Sequence, residues 1–263
     1  MQTERKHPSH SNRKRGRFFH LYIILAAVII VAAVAAGSLV FFKAHTFEVV
    51  GNSRYTKDEL LAAADIAEDT NLVRIPAREI ARRMEATMPY LKQVRIRIIP
   101  PERVVIEVTE TEPSGAIQAG GSVWYIDSGG KLLEQVSSNQ GYPAITGLSI
   151  VEPAVGTYFQ VAEEESLKAK GLRGLLQALE QQQLLTRVDK INVTSSSFIT
   201  MHYNNRLTVK MGLNDDFSYD LKMLLSAEEG YIAEKWSQGE TGTLDMTKRD
   251  GEAHLTPDKV GEG

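Results

Sequence analysis

An uncharged apolar run of 22 residues, LYIILAAVIIVAAVAAGSLVFF, extends from Leu21 to Phe42. As an α-helix it would be about 33 Å long, and a bilayer core takes about 20 residues to cross. A buried helix of a soluble protein normally carries a polar face, and this run has none. A cleaved signal peptide has an apolar stretch of roughly 7–15 residues before a small-x-small site. Ala33-Val34-Ala35 fits such a site, but the apolar residues continue to Phe42, so we predict an uncleaved membrane helix over residues 21–42.

Charge divides the chain into segments that the net charge of −3 conceals. Residues 1–20 have a net charge of +5 and residues 21–42 carry no charge, so residues 43–263 have a net charge of −8. Basic residues that flank a membrane helix stay in the cytoplasm. We therefore predict a type II single-pass protein with a cytoplasmic tail at 1–20. The basic cluster at 13–17 also fits a nucleic-acid or nuclear-import patch, but its position beside the apolar run favours the topological role.

The outer region is long enough for one or two domains, because residues 43–263 follow the apolar run. Its first part, residues 46–112, predicts the order strand, helix, helix, strand, strand. Thr56 begins a T-x-x-E capping box, which starts a helix near Lys57. A second helix begins near Pro76, with its apolar face formed by Ile80, Met84 and Met88. The segments at 94–98 and 104–108 alternate apolar and polar residues, as strands with one buried face do.

This order, just outside an apolar span, resembles a polypeptide-transport-associated (POTRA) module. The segments FEVVGNSRYTKDEL, NLVRIPAREIARRMEATMPYLKQVRIRIIPPERVVIEV and WYIDSGGKLL resemble the FtsQ/DivIB family of bacterial cell-division proteins. The Glu-Arg-x-Pro usual in that family after the third strand is Glu110-Thr111-Glu112-Pro113 here, which departs at its second position.

The second outer domain, residues 113–250, predicts hairpins and helices. Ser128-Gly129-Gly130 and Asn204-Asn205 have the residues of tight hairpin turns. A helix is predicted over 163–183, and the residues that we place on its apolar side are Leu167, Leu172, Leu175, Leu176 and Leu179. Asp215 or Asp216 would cap a helix that runs to about Glu228.

The fold class predicted is α+β: a single transmembrane helix, a POTRA (β-α-α-β-β) domain and a second α/β domain with a mainly antiparallel sheet. Residues 251–263 are polar and Gly-rich and predict a flexible C-terminal tail.

Sequence motifs give little support for catalysis. The metalloprotease, hydrolase, P-loop and dinucleotide motifs are absent, and the chain has no Cys for thiolate chemistry. Ser128 and Lys131 match S-x-x-K, but that motif needs a helix, and two glycines in a hairpin turn separate them here. We predict no enzyme, no cofactor, no metal and no small-molecule substrate. Because the outer region is acidic, we also predict no nucleic-acid binding.

The resemblance implies a non-enzymatic scaffold at the division septum. It implies binding to the small bitopic proteins FtsL and FtsB (DivIC), and help in controlling septal peptidoglycan synthesis. In that family the FtsB partner docks beside the last strands. The matching residues here are Thr243, Leu244, Asp245, Met246, Arg249, Asp250, Gly251, His254 and Leu255. Tyr231 and Trp236 are either aromatic anchors of this contact or core residues.

Two alternative functions remain at this point. The first is a membrane-anchored cell-wall enzyme or regulator with an accessory POTRA module. The second is a transport protein, which would normally need repeated modules or a β-barrel with many more strands.

Overall fold

The computed structural model describes residues 17–214, 216–236, 240–248 and 253–258. The chain begins with helix α1 (Arg17–Phe41), which holds most of the apolar run. Among the described residues, no helix combines the length and the apolar character that a membrane span requires. The transmembrane span over 21–42 therefore stays a prediction, and residues 1–16 of the basic tail lie outside the described part.

The first domain has the predicted order of elements. They are β1 (Thr46–Val50), α2 (Lys57–Ala64), α3 (Ala77–Thr87), β2 (Leu91–Ile99) and β3 (Arg103–Glu110). Strand β3 lies in the centre of the sheet, parallel to β1 and antiparallel to β2.

Local sequence signals set the helix boundaries of this domain. Helix α2 starts at the predicted capping box, in which the Glu59 N–H donates to Thr56 Oγ1 (3.3 Å) and the Thr56 N–H donates to Glu59 Oε2 (2.8 Å). Ile80, Met84 and Met88 are buried against the sheet in one core cluster, as their spacing predicts for an amphipathic helix.

The second domain is built on one nine-stranded sheet. The described strands of this domain are, in chain order, β4 (Gly115–Ala119), β5 (Ser122–Ile126), β6 (Leu132–Val136), β7 (Ala144–Thr146), β8 (Ile150–Val151), β9 (Gln160–Val161), β10 (Val188–Asn192), β11 (Phe198–Tyr203), β12 (Leu207–Gly212), β13 (Gly242–Met246) and β14 (His254–Pro257). Strands β8 and β9 form a separate two-stranded ribbon, and the other strands form the sheet. The spatial order is β14-β13-β12-β11-β10-β7-β4-β5-β6. Five of the eight neighbouring pairs among these described strands are antiparallel, which confirms a mainly antiparallel sheet.

Helices pack against this sheet over a continuous apolar core. They are α4 (Ser166–Gln181), α5 (Ser218–Ala227) and, after a π-helical turn, α6 (Ala233–Lys235). Leu172, Leu175 and Leu176 are fully buried. The prediction that Leu167 shares their face is wrong, because its side chain is 68% exposed. At 3.6 residues per turn, a step of five residues places Leu167 about 140° away from Leu172.

The C-terminal segment also differs from its prediction. Residues 254–257 form β14, which pairs antiparallel with β13, so a loose tail is wrong for these four residues. Leu255 lies opposite Leu244 and packs against the main core. Burial of this apolar side chain and the strand pairing together compensate for the lost chain entropy.

Candidate partner-binding edge

The predicted partner site lies at one end of the nine-stranded sheet. β13 is parallel to β12 on one side and antiparallel to β14 on the other. β14 is the last strand in the order, and no other strand of the described chain pairs with its outer side. An edge of this kind offers backbone N–H and C=O groups to a further strand.

The structure brings six of the predicted residues together on the two final strands. Leu244 is fully buried in the core, and the half-buried residues are Thr243, Asp245, Met246, His254 and Leu255. The register places Asp245 opposite His254. Arg249, Asp250 and Gly251 lie outside the described residues.

Asp245 shapes the end of β13. Its Oδ1 accepts hydrogen bonds from the Thr247 hydroxyl (2.7 Å) and the Thr247 N–H (2.9 Å). These two bonds lower the pKa of the Asp245 carboxyl below its ordinary value, because they stabilise the ionised form. Asp245 is therefore held as a carboxylate at the start of the connection to β14.

The two aromatic candidates differ in their environment. Trp236 is a core residue, only 9% exposed, and the Arg206 guanidinium lies 5.4 Å from the centre of its ring. Tyr231 is 55% exposed on the π-helical turn. Of the two, Tyr231 is the aromatic side chain that a partner can reach.

Gly242 is a residue that the sequence reasoning missed. A Cβ atom at this position would lie 2.3 Å from the Trp236 ring and 2.6 Å from the Thr256 carbonyl oxygen. The absence of a side chain therefore lets Trp236 and β14 both pack against the start of β13. A glycine inside a strand pattern is a signal for such a close approach.

The side chains of Ser128 and Lys131 form hydrogen bonds to different groups. The Ser128 hydroxyl donates to Glu180 Oε2 (2.7 Å). Lys131 Nζ donates to the carbonyl oxygens of Glu85 (2.7 Å) and Leu91 (2.9 Å) in the first domain. Burial lowers the pKa of Lys131, and the nearby charge of Asp127 opposes this shift. The geometry gives both residues a role in domain packing rather than in a nucleophile–base pair.

A metal site is also not evident in the described part of the chain, where no three His, Asp or Glu side chains are grouped to hold an ion.

The fold and the sequence matches identify the class of protein. Residues 42–111 match the family model for the FtsQ-type POTRA domain, so this is a protein with a POTRA domain of that type.

Three cell-division proteins are also similar to this chain. A cell division protein FtsQ of Syntrophotalea carbinolica is 27% identical over 214 residues, covering 76% of this chain and 72% of that protein. A cell division protein DivIB of Clostridium tetani is 19% identical over 206 residues, covering 73% of this chain and 76% of that protein. An FtsQ of Corynebacterium glutamicum is 28% identical over 114 residues, covering 42% of this chain and 51% of that protein.

These matches support the FtsQ/DivIB family of cell-division proteins and so confirm the resemblance found in the sequence. The family supports a role in cell division, and it is a family of non-enzymatic division proteins. The prediction that this chain is not an enzyme is confirmed on that ground.

Proposed function

We propose that this chain is a membrane-anchored scaffold of the division complex. It holds FtsL-like and FtsB/DivIC-like bitopic proteins at the septum and so helps to control septal peptidoglycan synthesis. The observation that carries the proposal is the position of β14 at the end of the nine-stranded sheet, where no other described strand pairs with its outer side. A partner strand that adds there gains main-chain hydrogen bonds, and the side chains beside the edge supply specificity.

The anchor in this proposal is the apolar run over residues 21–42. Helix α1 exposes large aliphatic side chains along its length, among them Ile24, Val28 and Val31. Such a surface is costly in water and favourable in lipid. The basic residues before it place the N-terminus in the cytoplasm, so both folded domains lie outside the cell membrane.

The exposed part of β14 offers polar contacts to an added strand. Thr256 and Pro257 are exposed on β14. The Thr241 hydroxyl donates to Asp258 Oδ2 (2.7 Å), which holds the C-terminal end of β14 against the start of β13. The exposed ring of Tyr231 offers an aromatic anchor of the kind that often contributes strongly to protein interfaces.

Site-specific crosslinking tests the docking edge without disturbing the fold. A photoreactive amino acid at Thr256 is compared with one at Gln135, which is exposed on β6 at the opposite edge of the same sheet. We expect the FtsB- or DivIC-like protein of the same cell to crosslink at Thr256 and not at Gln135. Equal crosslinking at both positions, or none at either, would argue against β14 as the docking strand.

A further inference from the structure

Helix α1 enters the POTRA domain without a flexible linker. Phe42 packs partly buried against the core of that domain, and Ala44 is fully buried. The Leu72 N–H donates to the Phe42 carbonyl (2.9 Å), and the Ala44 N–H donates to the Thr70 carbonyl (2.9 Å). The loop that contains Leu72 is therefore fixed beside the end of the apolar run.

A second loop is fixed at the same end of the domain. The N–H groups of His45 and Thr46 both donate to the Glu102 carbonyl, at 3.0 and 3.1 Å. Glu102 belongs to the turn between β2 and β3, and Thr46 lies opposite Arg103 in the sheet. Both loops are thus bonded to the chain within four residues of Phe42.

Each loop presents apolar groups to its surroundings. Val73 is 71% exposed directly after the buried Leu72, and Ile99 is 38% exposed at the end of β2. Pro100 and Pro101 are exposed in the turn that follows. Single exposed apolar residues are ordinary, but Val73, Pro100 and Pro101 lie on the two loops that flank the end of the apolar run, and Ile99 directly precedes the second loop. We call Val73, Ile99, Pro100 and Pro101 the rim.

Charges near the rim are mixed in sign. Lys43 Nζ and His45 Nε2 lie 3.6 and 3.7 Å from the Asp69 carboxylate. Arg74 is exposed beside Val73, and Glu68 is exposed before Asp69. Because neither sign of charge dominates, attraction to anionic lipid would not hold the rim at a membrane. The apolar groups of the rim would provide the attraction instead.

We propose that the rim lies in the interfacial layer of the bilayer, so that the POTRA domain rests directly on the lipid surface. This inference rests on the proposed anchor over residues 21–42. Apolar groups at a membrane interface are buried about 5–10 Å, at the boundary between headgroups and acyl chains. Contact at two loops restricts rotation of the domain about the helix axis, which a single anchor point does not do.

The absence of Cys allows the lipid contact to be measured at single labelled positions. The full chain is reconstituted in phosphatidylcholine vesicles with an environment-sensitive fluorophore on Val73→Cys or Ile99→Cys. Leu167→Cys is the matched control, because this aliphatic side chain is 68% exposed in the second domain. Val28→Cys reports the anchor itself. Quenching is by lipids that carry a nitroxide near the headgroup or deeper in the acyl chain.

We expect blue-shifted emission at positions 73 and 99, with headgroup-nitroxide quenching several-fold stronger than at position 167. Position 28 should be quenched by the deeper nitroxide. If the label at position 28 is quenched while the label at position 73 or 99 is quenched no more than the control at position 167, the inference is wrong and the anchor stands. If 28 also escapes quenching, the anchor fails and the inference with it. A blue shift at 73 without lipid quenching indicates a protein neighbour and also overturns the inference.

Discussion

At the scale of single residues, Glu110 shows how one carboxylate organises a loop of the POTRA domain. Its Oε2 accepts from the Ser53 hydroxyl (2.6 Å) and the N–H groups of Ser53 (3.0 Å) and Arg54 (2.7 Å). Its Oε1 accepts from the Tyr55 N–H (3.1 Å). Burial acts to raise the pKa of Glu110, but these hydrogen bonds outweigh it and the pKa ends below 4.5. The end of β3 is thus tied to the loop between β1 and α2.

We expect Glu110→Gln to destabilise this loop by about 1–2 kcal/mol, because an amide cannot accept all four hydrogen bonds as a charged acceptor does. The measurement is hydrogen exchange at the amides of Ser53, Arg54 and Tyr55. Glu112→Gln, at an exposed position two residues later, is the control and should leave these amides unchanged. Equal exchange in both variants would contradict the role of Glu110.

The same carboxylate predicts a pH dependence. Because the folded pKa of Glu110 lies below its ordinary value of 4.5, its stabilisation is present above pH 4.5. It is lost as the pH falls through the folded pKa. The difference in loop protection between the wild type and Glu110→Gln should therefore shrink on acidification below pH 4.5. A difference that stays constant or grows there would be inconsistent with an ionised Glu110.

At the scale of elements, the pairing of β13 with β14 depends on how closely they approach at Gly242. The Trp236 ring and the Thr256 carbonyl both occupy the space where a side chain would lie. Gly212, at the end of the neighbouring strand β12, has open space around its Cβ position. The two glycines therefore allow the same substitution to be compared in a crowded and an open site.

We expect Gly242→Ala to destabilise the edge by about 1–3 kcal/mol, as overpacking of a filled site does. Amide exchange along β14 should rise, and crosslinking of the partner from Thr256 should fall. Gly212→Ala should change neither measurement. If the β14 amides of Gly242→Ala exchange as slowly as those of the wild type, the close packing around Trp236 does not hold this strand in place.

At the scale of the whole molecule, buried and exposed lysines connect the two folded domains. Lys131 is 3% exposed and donates to carbonyls of Glu85 and Leu91 across the junction. Glu85 lies in the last turn of α3, where a cation also interacts favourably with the helix dipole. Lys92 Nζ lies 3.3 Å from Glu180 Oε2 in an exposed ion pair across the same junction.

We expect Lys131→Met to loosen the junction, because it leaves two carbonyl groups without their buried donor. Lys92→Met should have little effect, since exposed ion pairs contribute about 0–1 kcal/mol. Spin labels on Val50→Cys and Leu167→Cys, one in each domain, report the distance between them. The distance distribution should broaden in Lys131→Met alone. Equal widths in both variants would show that the buried lysine does not fix the domain arrangement.

Features that depend on neighbours along the chain were predictable from the residues alone. The capping box at Thr56 placed the start of α2 because its bonds span three residues. Asn204-Asn205 predicted the β11–β12 turn, since both residues adopt the positive φ angles, 53° and 51°, that asparagine tolerates. The order of such local elements was enough to predict the POTRA fold and to indicate the family.

Features that depend on residues far apart in the chain became visible in the folded protein. The polar segment after residue 250 resembles a tail until Leu255 meets Leu244 and the core. Lys131 resembles half of a catalytic motif until its ammonium meets a carbonyl 46 residues away. Local patterns encode the preferences of short segments, whereas burial and long-range hydrogen bonds exist only after the chain has folded. For that reason the sequence predicted a candidate docking region near the last strands, and the folded chain showed that Leu244 is a core residue while Thr256 is exposed on the outermost described strand.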